Sequence, residues 1–367
     1  MGWDVRQKDL RASLVPPRRS CSVFFRRPQG AHSREPLASM LPPLISVAQP
    51  RVSLAGRGDP QLRVSFAGRR DSPMRPLSSS LIMLLRWCSY HSRTAVLFTA
   101  SDFKTILFPI CAFACATAPL YSLDRLLLGV MWVWTHQFMC NVSNQARGRV
   151  EDAVNKPWRP LPAGRITEHQ AFVLRWVTVA ACFACSALHG LDLVLTTLAM
   201  FLTTFAYDEL NLSGHYLGKS FCNIGGYTTF EIGATKLMGA TRDLDTVSLT
   251  AVCISGALIF TTIQAQDFAD VEGDAALGRK TFPIYAPRAS RVATLLAMCA
   301  WSLFLACFWG VGPLCGAAFV AFGSFVGCRF YFLRTAEEDT RSYVLYNIWL
   351  TLVHIMPLHA RTGLVAL

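Results

Sequence analysis

The chain has 367 residues, of which 52% are hydrophobic and only 16% are charged, and its mean hydropathy is +0.34. This composition excludes an ordinary soluble globular domain. The formal net charge is nevertheless +12, a combination that is typical of a polytopic membrane protein with basic loops.

The first 93 residues differ from the rest of the chain. They contain 16 Arg and Lys against five Asp and Glu, and therefore hold +11 of the net charge. They are rich in Pro and Ser, and the sequence of residues 51–60 is nearly repeated in residues 63–73. Such a segment buries too little apolar surface to offset its ordering entropy, so we expect residues 1–93 to be disordered. The segment also resembles a mitochondrial transit peptide, and Met74 and Met83 are alternative chain starts.

Nine apolar runs of membrane length follow, since a helix needs roughly 20 residues to cross about 30 Å of hydrocarbon. Backbone groups in lipid must be satisfied within the segment, so each run is predicted to be a helix. The runs lie at residues 95–120, 124–143, 169–188, 191–208, 221–239, 247–265, 290–309, 311–330 and 342–360. The sequence therefore predicts an all-α membrane protein with a transmembrane domain over residues 94–362.

The loops between these runs indicate an orientation. Basic residues collect between runs 2 and 3, 4 and 5, 6 and 7, and 8 and 9, whereas the alternate loops are short. The positive-inside rule places the basic loops in the cytoplasm. Two acidic motifs lie in these loops, so we expect both at one face of the membrane.

The thirteen cysteines show no disulfide framework. Cys182 and Cys185 form a CxxC pair, but it lies in the middle of an apolar run without nearby His or basic residues. We interpret the cysteines as small apolar side chains rather than as disulfide or zinc ligands.

The first acidic motif, NQARGRVEDAVNKPWRPLPAGRI, begins at the end of the second run. Asn144, Gly148 and Asp152 are spaced at i, i+4 and i+8, and should therefore share one helix face. Asn144 and Asp152 offer oxygen ligands, and Gly148 leaves room for a ligand or a neighbouring helix. The prolines that follow end the helix, and Lys156 and Arg159 place positive charge beside the acids.

The second acidic motif, QDFADVEGDAALGRKTFP, follows the sixth run. Asp267, Asp270 and Asp274 are spaced at i, i+3 and i+7 and should share one helix face, with Arg279 and Lys280 after them. Oxygen ligands of this kind suit Mg²⁺, and Arg and Lys neutralise a diphosphate. A single acidic run at a helix end is usually a solvated face. Two such runs at one membrane face, each followed by basic residues, favour a joint site for Mg²⁺ and a diphosphate.

Together these motifs resemble those of the UbiA superfamily of intramembrane prenyltransferases, over about residues 95–360. The string NKPWRPLPAGRI carries most of the resemblance. It implies an all-α bundle of nine transmembrane helices around a central cavity, in which Mg²⁺ bridges both motifs to an isoprenoid diphosphate. The metal ligands implied by the resemblance are Asn144, Asp152, Asp267, Asp270 and Asp274. The diphosphate-binding residues implied in the same way are Lys156, Arg159, Lys219, Arg279 and Lys280. Asn223 is a candidate to support Lys219, and an interhelical hydrogen bond is the alternative role for it.

The first motif departs from the usual NDxxDxxxD of these prenyltransferases, because Gln145 and Gly148 stand where Asp is usual. The remaining pattern, NxxxGxxxD, is similar to that of fungal UbiA-type terpene cyclases, which act on farnesyl diphosphate. The resemblance therefore implies a Mg²⁺-dependent sesquiterpene cyclase of secondary metabolism. The alternative is a UbiA-type prenyltransferase with an aromatic or meroterpenoid acceptor. The three retained aspartates of the second motif disfavour a transporter or an inactive scaffold.

The expected partners are an isoprenoid diphosphate, preferably farnesyl diphosphate, the lipid bilayer and downstream oxidising enzymes of the same pathway; no nucleic acid is expected. The expected location is the endoplasmic reticulum membrane with the site facing the cytoplasm. The N-terminal segment leaves the mitochondrial inner membrane as the alternative.

Ionisable side chains within the predicted runs are candidate pocket residues, because charges at membrane depth usually face a cavity. These are Asp102, Lys104, His136, Glu231 and Lys236. Glu231 is a candidate acceptor for the final proton of cyclisation, or a partner of Lys236. Aromatic rings stabilise carbocations, although lipid contact is the alternative for each of them. The aromatic candidates are Trp132, Trp134, Phe138, Phe201, Phe205, Tyr207, Tyr227, Phe230, Phe260 and Trp349.

Overall fold

The structure is a computed structural model, and it describes residues 79–364. Residues 1–78 of the segment that we predicted to be disordered lie outside the described residues. Residues 79–93 form the first part of a helix, so helical structure begins before the predicted domain boundary. No β-strand forms within the described range, which confirms the predicted all-α class.

Fourteen α-helices follow one another along the described chain. They are α1 (Ser79–Thr99), α2 (Phe108–Thr117), α3 (Leu123–Arg147), α4 (Arg149–Asn155), α5 (Glu168–Ala187), α6 (Leu191–Asp208), α7 (Tyr216–Met238), α8 (Thr246–Thr262), α9 (Val271–Ala276), α10 (Phe282–Tyr285), α11 (Pro287–Phe308), α12 (Pro313–Phe332), α13 (Ala336–Ile355) and α14 (Pro357–Thr362). Short 3₁₀ segments lie at Ala100–Asp102, Leu212–Gly214 and Ile263–Asp267, and a π-helical turn at Phe103–Leu107 joins α1 to α2.

A helix lies at each of the nine predicted runs, but the count of nine transmembrane helices is not confirmed. Six described segments are long and apolar enough to cross a membrane: Ser79–Thr117, Glu168–Ala187, Leu191–Asp208, Thr246–Asp267, Pro287–Phe308 and Pro313–Phe332. The long helices α3, α7 and α13 fall outside this set. Each of them carries polar side chains that are buried within the protein, which lowers its hydropathy.

Helix α7 lies at the centre of the bundle and packs against α2, α3, α6 and α8. Its close contact with α3 depends on Gly233, because a Cβ there would lie 2.2 Å from the ring of Trp132. Trp132 in turn donates a hydrogen bond to Ser186 of α5 at 3.0 Å. These contacts hold α3 against both α7 and α5, and α3 and α7 contribute to the main cavity.

Candidate active site

A cavity of about 710 Å³ is lined by residues of α3, α4, α6, α7 and α13, by residues 100–106 and by the segment from Gln266 to Arg279. We call residues 144–159 the first wall and residues 266–279 the second wall. Seven of the sequence-predicted site residues line this cavity: Asn144, Lys156, Arg159, Lys219, Asp267, Asp270 and Arg279. Asp152, Asp274 and Lys280 are not among its lining residues.

The first wall is built from two helices rather than one, because α3 ends at Arg147 and α4 begins at Arg149. The Gly148 N–H still donates to the Asn144 carbonyl at 2.8 Å, and the Asp152 N–H to the Gly148 carbonyl at 2.9 Å. A Cβ at Gly148 would lie 3.6 Å from Oε2 of Glu151. The position of the missing side chain therefore faces the Glu151 carboxylate.

Gln145 points away from the cavity. It is fully buried, and its Nε2 donates to the Phe98 carbonyl of α1 at 2.8 Å. Gly148 has no side chain. Positions 145 and 148, where the prenyltransferase motif usually has Asp, therefore give the cavity no charged group. The departure from the motif is thus a loss of negative charge at the first wall.

Glu151, rather than Asp152, faces the cavity from α4. Oε2 of Glu151 lies 2.7 Å from Nη1 of Arg279. The side chain of Asp152 is only 4% exposed, and its Oδ1 lies 2.7 Å from Nη1 of Arg159. Burial raises the pKa of Asp152, and the positive charges of Arg159 and Lys156 oppose that shift. The sequence did not single out Glu151, because one continuous helix from Asn144 would place Asp152, at i+8, on the cavity face. The break between α3 and α4 at Gly148 turns Glu151 to that face instead.

The three aspartates of the second wall are all paired with cations. Oδ1 of Asp267 lies 2.6 Å from Nζ of Lys219, and Oδ2 of Asp270 lies 3.4 Å from Nζ of Lys156. Asp274 is fully buried, with its Oδ1 2.9 Å from Nη1 of Arg279. The two walls are therefore joined by the ion pairs Lys156–Asp270 and Glu151–Arg279.

Local backbone structure sets these positions. The prediction that the three aspartates share one helix face is wrong, because they do not lie on one continuous helix. The 3₁₀ segment Ile263–Asp267 follows α8, and α9 begins only at Val271. Gly278 has a φ of +69°, which allows the chain to turn after α9 and brings the Arg279 N–H within 3.0 Å of the Asp274 carbonyl.

Lys280 has an exposed side chain, and its backbone joins the segment before α7. The Lys280 N–H donates to the Gly214 carbonyl at 2.8 Å, and the Tyr216 N–H donates to the Lys280 carbonyl at 3.0 Å. Lys219, in the first turn of α7, therefore lies directly beside the second wall. Asn223 also lines the cavity, and its Nδ2 donates to the Lys219 carbonyl at 2.9 Å.

Two of the five ionisable pocket candidates, Asp102 and Lys104, line the cavity. Oδ2 of Asp102 accepts a hydrogen bond from Asn141 at 2.8 Å and lies 3.8 Å from Nη2 of Arg159. The Lys104 ammonium lies 5.8 Å from the centre of the Tyr343 ring.

The other three ionisable candidates lie in packed contacts outside the cavity lining. His136 stacks on Trp132 with ring centres 3.9 Å apart. Lys236 pairs with Asp192 at 3.3 Å. The suggested Glu231–Lys236 pair is not formed, because Glu231 contacts Ser255 and lies 3.4 Å from His354.

Three of the ten aromatic candidates, Tyr207, Tyr227 and Phe230, line the cavity. The Tyr227 hydroxyl donates to the Thr105 carbonyl at 2.9 Å, which fixes its ring. Phe230 packs edge-on against Trp132 with ring centres 6.5 Å apart. The remaining seven aromatic candidates lie elsewhere in the bundle.

The donor set of the cavity fits a magnesium ion held jointly with a diphosphate. Within residues 79–364, no group of three or more His, Cys, Asp or Glu side chains is close enough to hold a metal by itself. Mg²⁺ usually takes one or two carboxylates and completes its shell with waters and substrate phosphate oxygens. Asp267 and Asp270 are carboxylates of this kind, since both line the cavity beside the cations that a diphosphate requires.

The chain is similar in sequence and in fold to known membrane proteins. The model of the UbiA prenyltransferase family matches residues 106–351. The chain is 30% identical over 279 residues to fumagillin beta-trans-bergamotene synthase af520 of Aspergillus fumigatus, covering 73% of this chain and 93% of that protein. It is 28% identical over 257 residues to polyprenyl transferase eriF of Hericium erinaceus, covering 68% of this chain and 86% of that protein.

A solved UbiA homolog from Archaeoglobus fulgidus, bound to GPP and Mg²⁺, has the same fold. Its TM-score is 0.53 at 14% sequence identity, and the match covers 72% of this chain and 99% of that chain. At this identity the likeness shows the fold alone.

Proposed function

The chain belongs to the UbiA prenyltransferase family of membrane proteins, and we propose that it is a Mg²⁺-dependent terpene cyclase that converts farnesyl diphosphate to a cyclic sesquiterpene. Members of this family act on isoprenoid diphosphates as terpene synthases or as prenyltransferases. The observation that carries the proposal is the match to a fungal terpene synthase over 93% of that protein's length.

The ionic end of the cavity is suited to a diphosphate. Lys156, Arg159, Lys219 and Arg279 provide the positive charge, and each is paired with a carboxylate. A diphosphate would compete for these cations, which would release Asp267 and Asp270 as metal ligands. When bound, Mg²⁺ stabilises the departing diphosphate as the allylic C–O bond breaks. The basic side chains stabilise the same developing charge.

The opposite end of the cavity is suited to an isoprenoid chain. The lining residues of α7 form one helix face, with Lys219 at the ionic end and Phe230 at the other. At about 1.5 Å per residue, this face extends about 16 Å into the bundle. Tyr227 and Phe230 present aromatic rings along it, and their packing contacts hold them in place. Rings of this kind stabilise the allylic cation while the distal double bond of the same isoprenoid chain attacks it.

The loss of charge at the first wall supports cyclisation over transfer. Gln145 is turned towards α1 and Gly148 has no side chain. The space beside the diphosphate therefore lacks the two carboxylates that the usual prenyltransferase motif would place there. A cyclase needs no second substrate in this space, because the nucleophile is part of the isoprenoid chain.

Transfer of the isoprenoid to a separate acceptor is the second candidate function. Polyprenyl transferase eriF is nearly as similar to the chain as the terpene synthase is. Moreover, Gln137, Asn141 and Thr204 give the cavity wall polar groups that suit an acceptor hydroxyl.

Product analysis distinguishes the two functions. Microsomes containing the expressed chain are incubated with farnesyl diphosphate and Mg²⁺, with and without aromatic acceptors, and the extract is analysed by gas chromatography–mass spectrometry. The cyclase proposal requires a cyclic C15 hydrocarbon or alcohol without acceptor, and no such product in the presence of EDTA. Turnover only with an acceptor would establish the transferase instead.

We further propose that the chain lies in the endoplasmic reticulum membrane with the cavity mouth facing the cytoplasm. The support is the excess of Arg and Lys in the connections that carry both acidic motifs. Labelling of a cysteine introduced at exposed Lys280 by an impermeant thiol reagent, in sealed microsomes of cytoplasmic orientation, tests this. Labelling only after the microsomes are opened would refute the orientation.

A further inference from the structure

Asp208, the last residue of α6, lies on the cavity wall outside both acidic motifs. Its Oδ1 accepts a hydrogen bond from Nδ2 of Asn144 at 3.1 Å. The hydroxyl of Ser143 is a second polar neighbour of this carboxylate. Its other oxygen, Oδ2, is buried without a hydrogen-bond partner. Asp208 therefore has a buried oxygen at the cavity with unused capacity to bind a ligand.

Asp208 also forms no ion pair of its own within the described residues, and the charge of Arg175 acts on it only from beyond ion-pair distance. The described residues place five carboxylates on the cavity wall: Asp102, Glu151, Asp208, Asp267 and Asp270. The other four lie within 4.0 Å of an Arg or Lys side chain, whereas no such ion pair forms at Asp208. The nearby Arg147 and Arg175 both bind the next residue, Glu209.

A carboxylate with a buried oxygen that has neither a hydrogen bond nor an ion pair is costly, so a cation from outside the chain is the expected partner. Asn144 uses its amide nitrogen to bind Asp208, which leaves its Oδ1 for another ligand. The hydrogen-bonded Asn144 and Asp208 side chains thus bring one amide oxygen and one carboxylate group to the same part of the cavity wall. Such hard oxygens are the ligands that Mg²⁺ prefers.

We propose that Asp208 is a magnesium ligand beside the first wall and acts together with Asn144. Its carboxylate on α6 would replace the negative charge that the first motif lacks at Gln145 and Gly148. This inference rests on the proposed function, in which a metal and a diphosphate share the cavity, but it concerns a residue outside both motifs.

Metal binding tests the role of Asp208 without using activity. The purified full chain in detergent is titrated with Mn²⁺ in the presence of inorganic pyrophosphate, and the concentration of free Mn²⁺ is measured by electron paramagnetic resonance. Asp208→Asn keeps the size of the side chain and should weaken Mn²⁺ binding at least about tenfold. The control is Asp243→Asn, because Asp243 is exposed in the connection at the far end of α7. Gel filtration and thermal unfolding of each variant exclude misfolding as the cause.

A double mutant separates a ligand from a residue that only positions Asn144. In an Asn144→Ala background, Asp208→Asn should still weaken Mn²⁺ binding severalfold if Asp208 contacts the metal. No further loss would mean that Asp208 acts only through Asn144, and would overturn the proposal.

The outcomes also separate this inference from the proposed function. Unchanged Mn²⁺ affinity in Asp208→Asn, with a loss in Asp267→Asn, would overturn the role of Asp208 and leave the metal-dependent site intact. No pyrophosphate-dependent Mn²⁺ binding by the unmodified chain would overturn both. Weaker binding by Asp208→Asn and Asp267→Asn, but not by Asp243→Asn, is the result that we expect.

Discussion

Replacing Lys219 with Met should affect both stability and turnover, because this lysine has two buried partners. Its Nζ lies 2.6 Å from Asp267 and 3.8 Å from Asp274, and the side chains of all three residues are less than a tenth exposed. Met has a similar length but no charge, so the variant leaves two buried carboxylates without this counter-charge. Removing one partner of a buried ion pair typically costs about 3–5 kcal/mol.

The effect on catalysis follows from the same side chain. A hydrogen bond to a charged group is worth about 1.5–3 kcal/mol, so losing one from the diphosphate should lower kcat/KM by roughly 10- to 150-fold. Mg²⁺ should restore part of the lost stability, because it can neutralise the carboxylates that Lys219 leaves behind. Thermal unfolding with and without Mg²⁺, and initial rates with farnesyl diphosphate, measure the two effects.

Lys236→Met is the matched control. Lys236 lies on the same helix and also forms an ion pair, but its partner Asp192 is a third exposed and the pair lies outside the cavity lining. A pair of this kind contributes at most about 1 kcal/mol. Equal losses in Lys219→Met and Lys236→Met, or a Lys219→Met variant with activity within threefold of the unmodified chain, would refute the assigned role.

Two further variants test the first wall. Glu151→Gln removes the charge that joins this wall to Arg279, and it should lower kcat/KM about tenfold, which corresponds to roughly 1.4 kcal/mol. The control is Glu272→Gln at an exposed position, which should leave kcat/KM unchanged. Equal kcat/KM values in the two variants would contradict the role of Glu151. Gln145→Ala removes one of the two side-chain donors to the Phe98 carbonyl, since Asn141 also donates to it at 2.9 Å. The variant should destabilise the protein by about 0.5–1.5 kcal/mol without altering the Mg²⁺ concentration needed for half-maximal rate. A changed Mg²⁺ requirement in that variant would mean that Gln145 acts at the metal site.

The fold was predictable because long apolar runs have only one stable form in lipid. Helices occur at all nine predicted runs within the described residues, since backbone groups in a bilayer must be bonded within the segment. The number of membrane spans was less predictable. Polar side chains such as His136 in α3 and Glu231 in α7 are buried between helices, and hydropathy does not distinguish such burial from exposure to water.

The site was predictable in composition but not in detail. The spacing of charged residues identified both walls, and seven of the ten predicted site residues line one cavity. The choice between Glu151 and Asp152 depended on the break at Gly148, which periodicity does not reveal. Asp208 carried no motif, because it reaches the cavity only through the packing of α6 against α3.

The central claim is that the chain ionises farnesyl diphosphate and closes the ring without an acceptor. The most direct measurement is the ratio of inorganic pyrophosphate released to cyclic C15 product formed, with purified chain, farnesyl diphosphate and Mg²⁺ as the only components. The account predicts a ratio near one, and no release of pyrophosphate by Asp267→Asn. Pyrophosphate release without cyclic product, or a cyclic product that persists in Asp267→Asn, would contradict it.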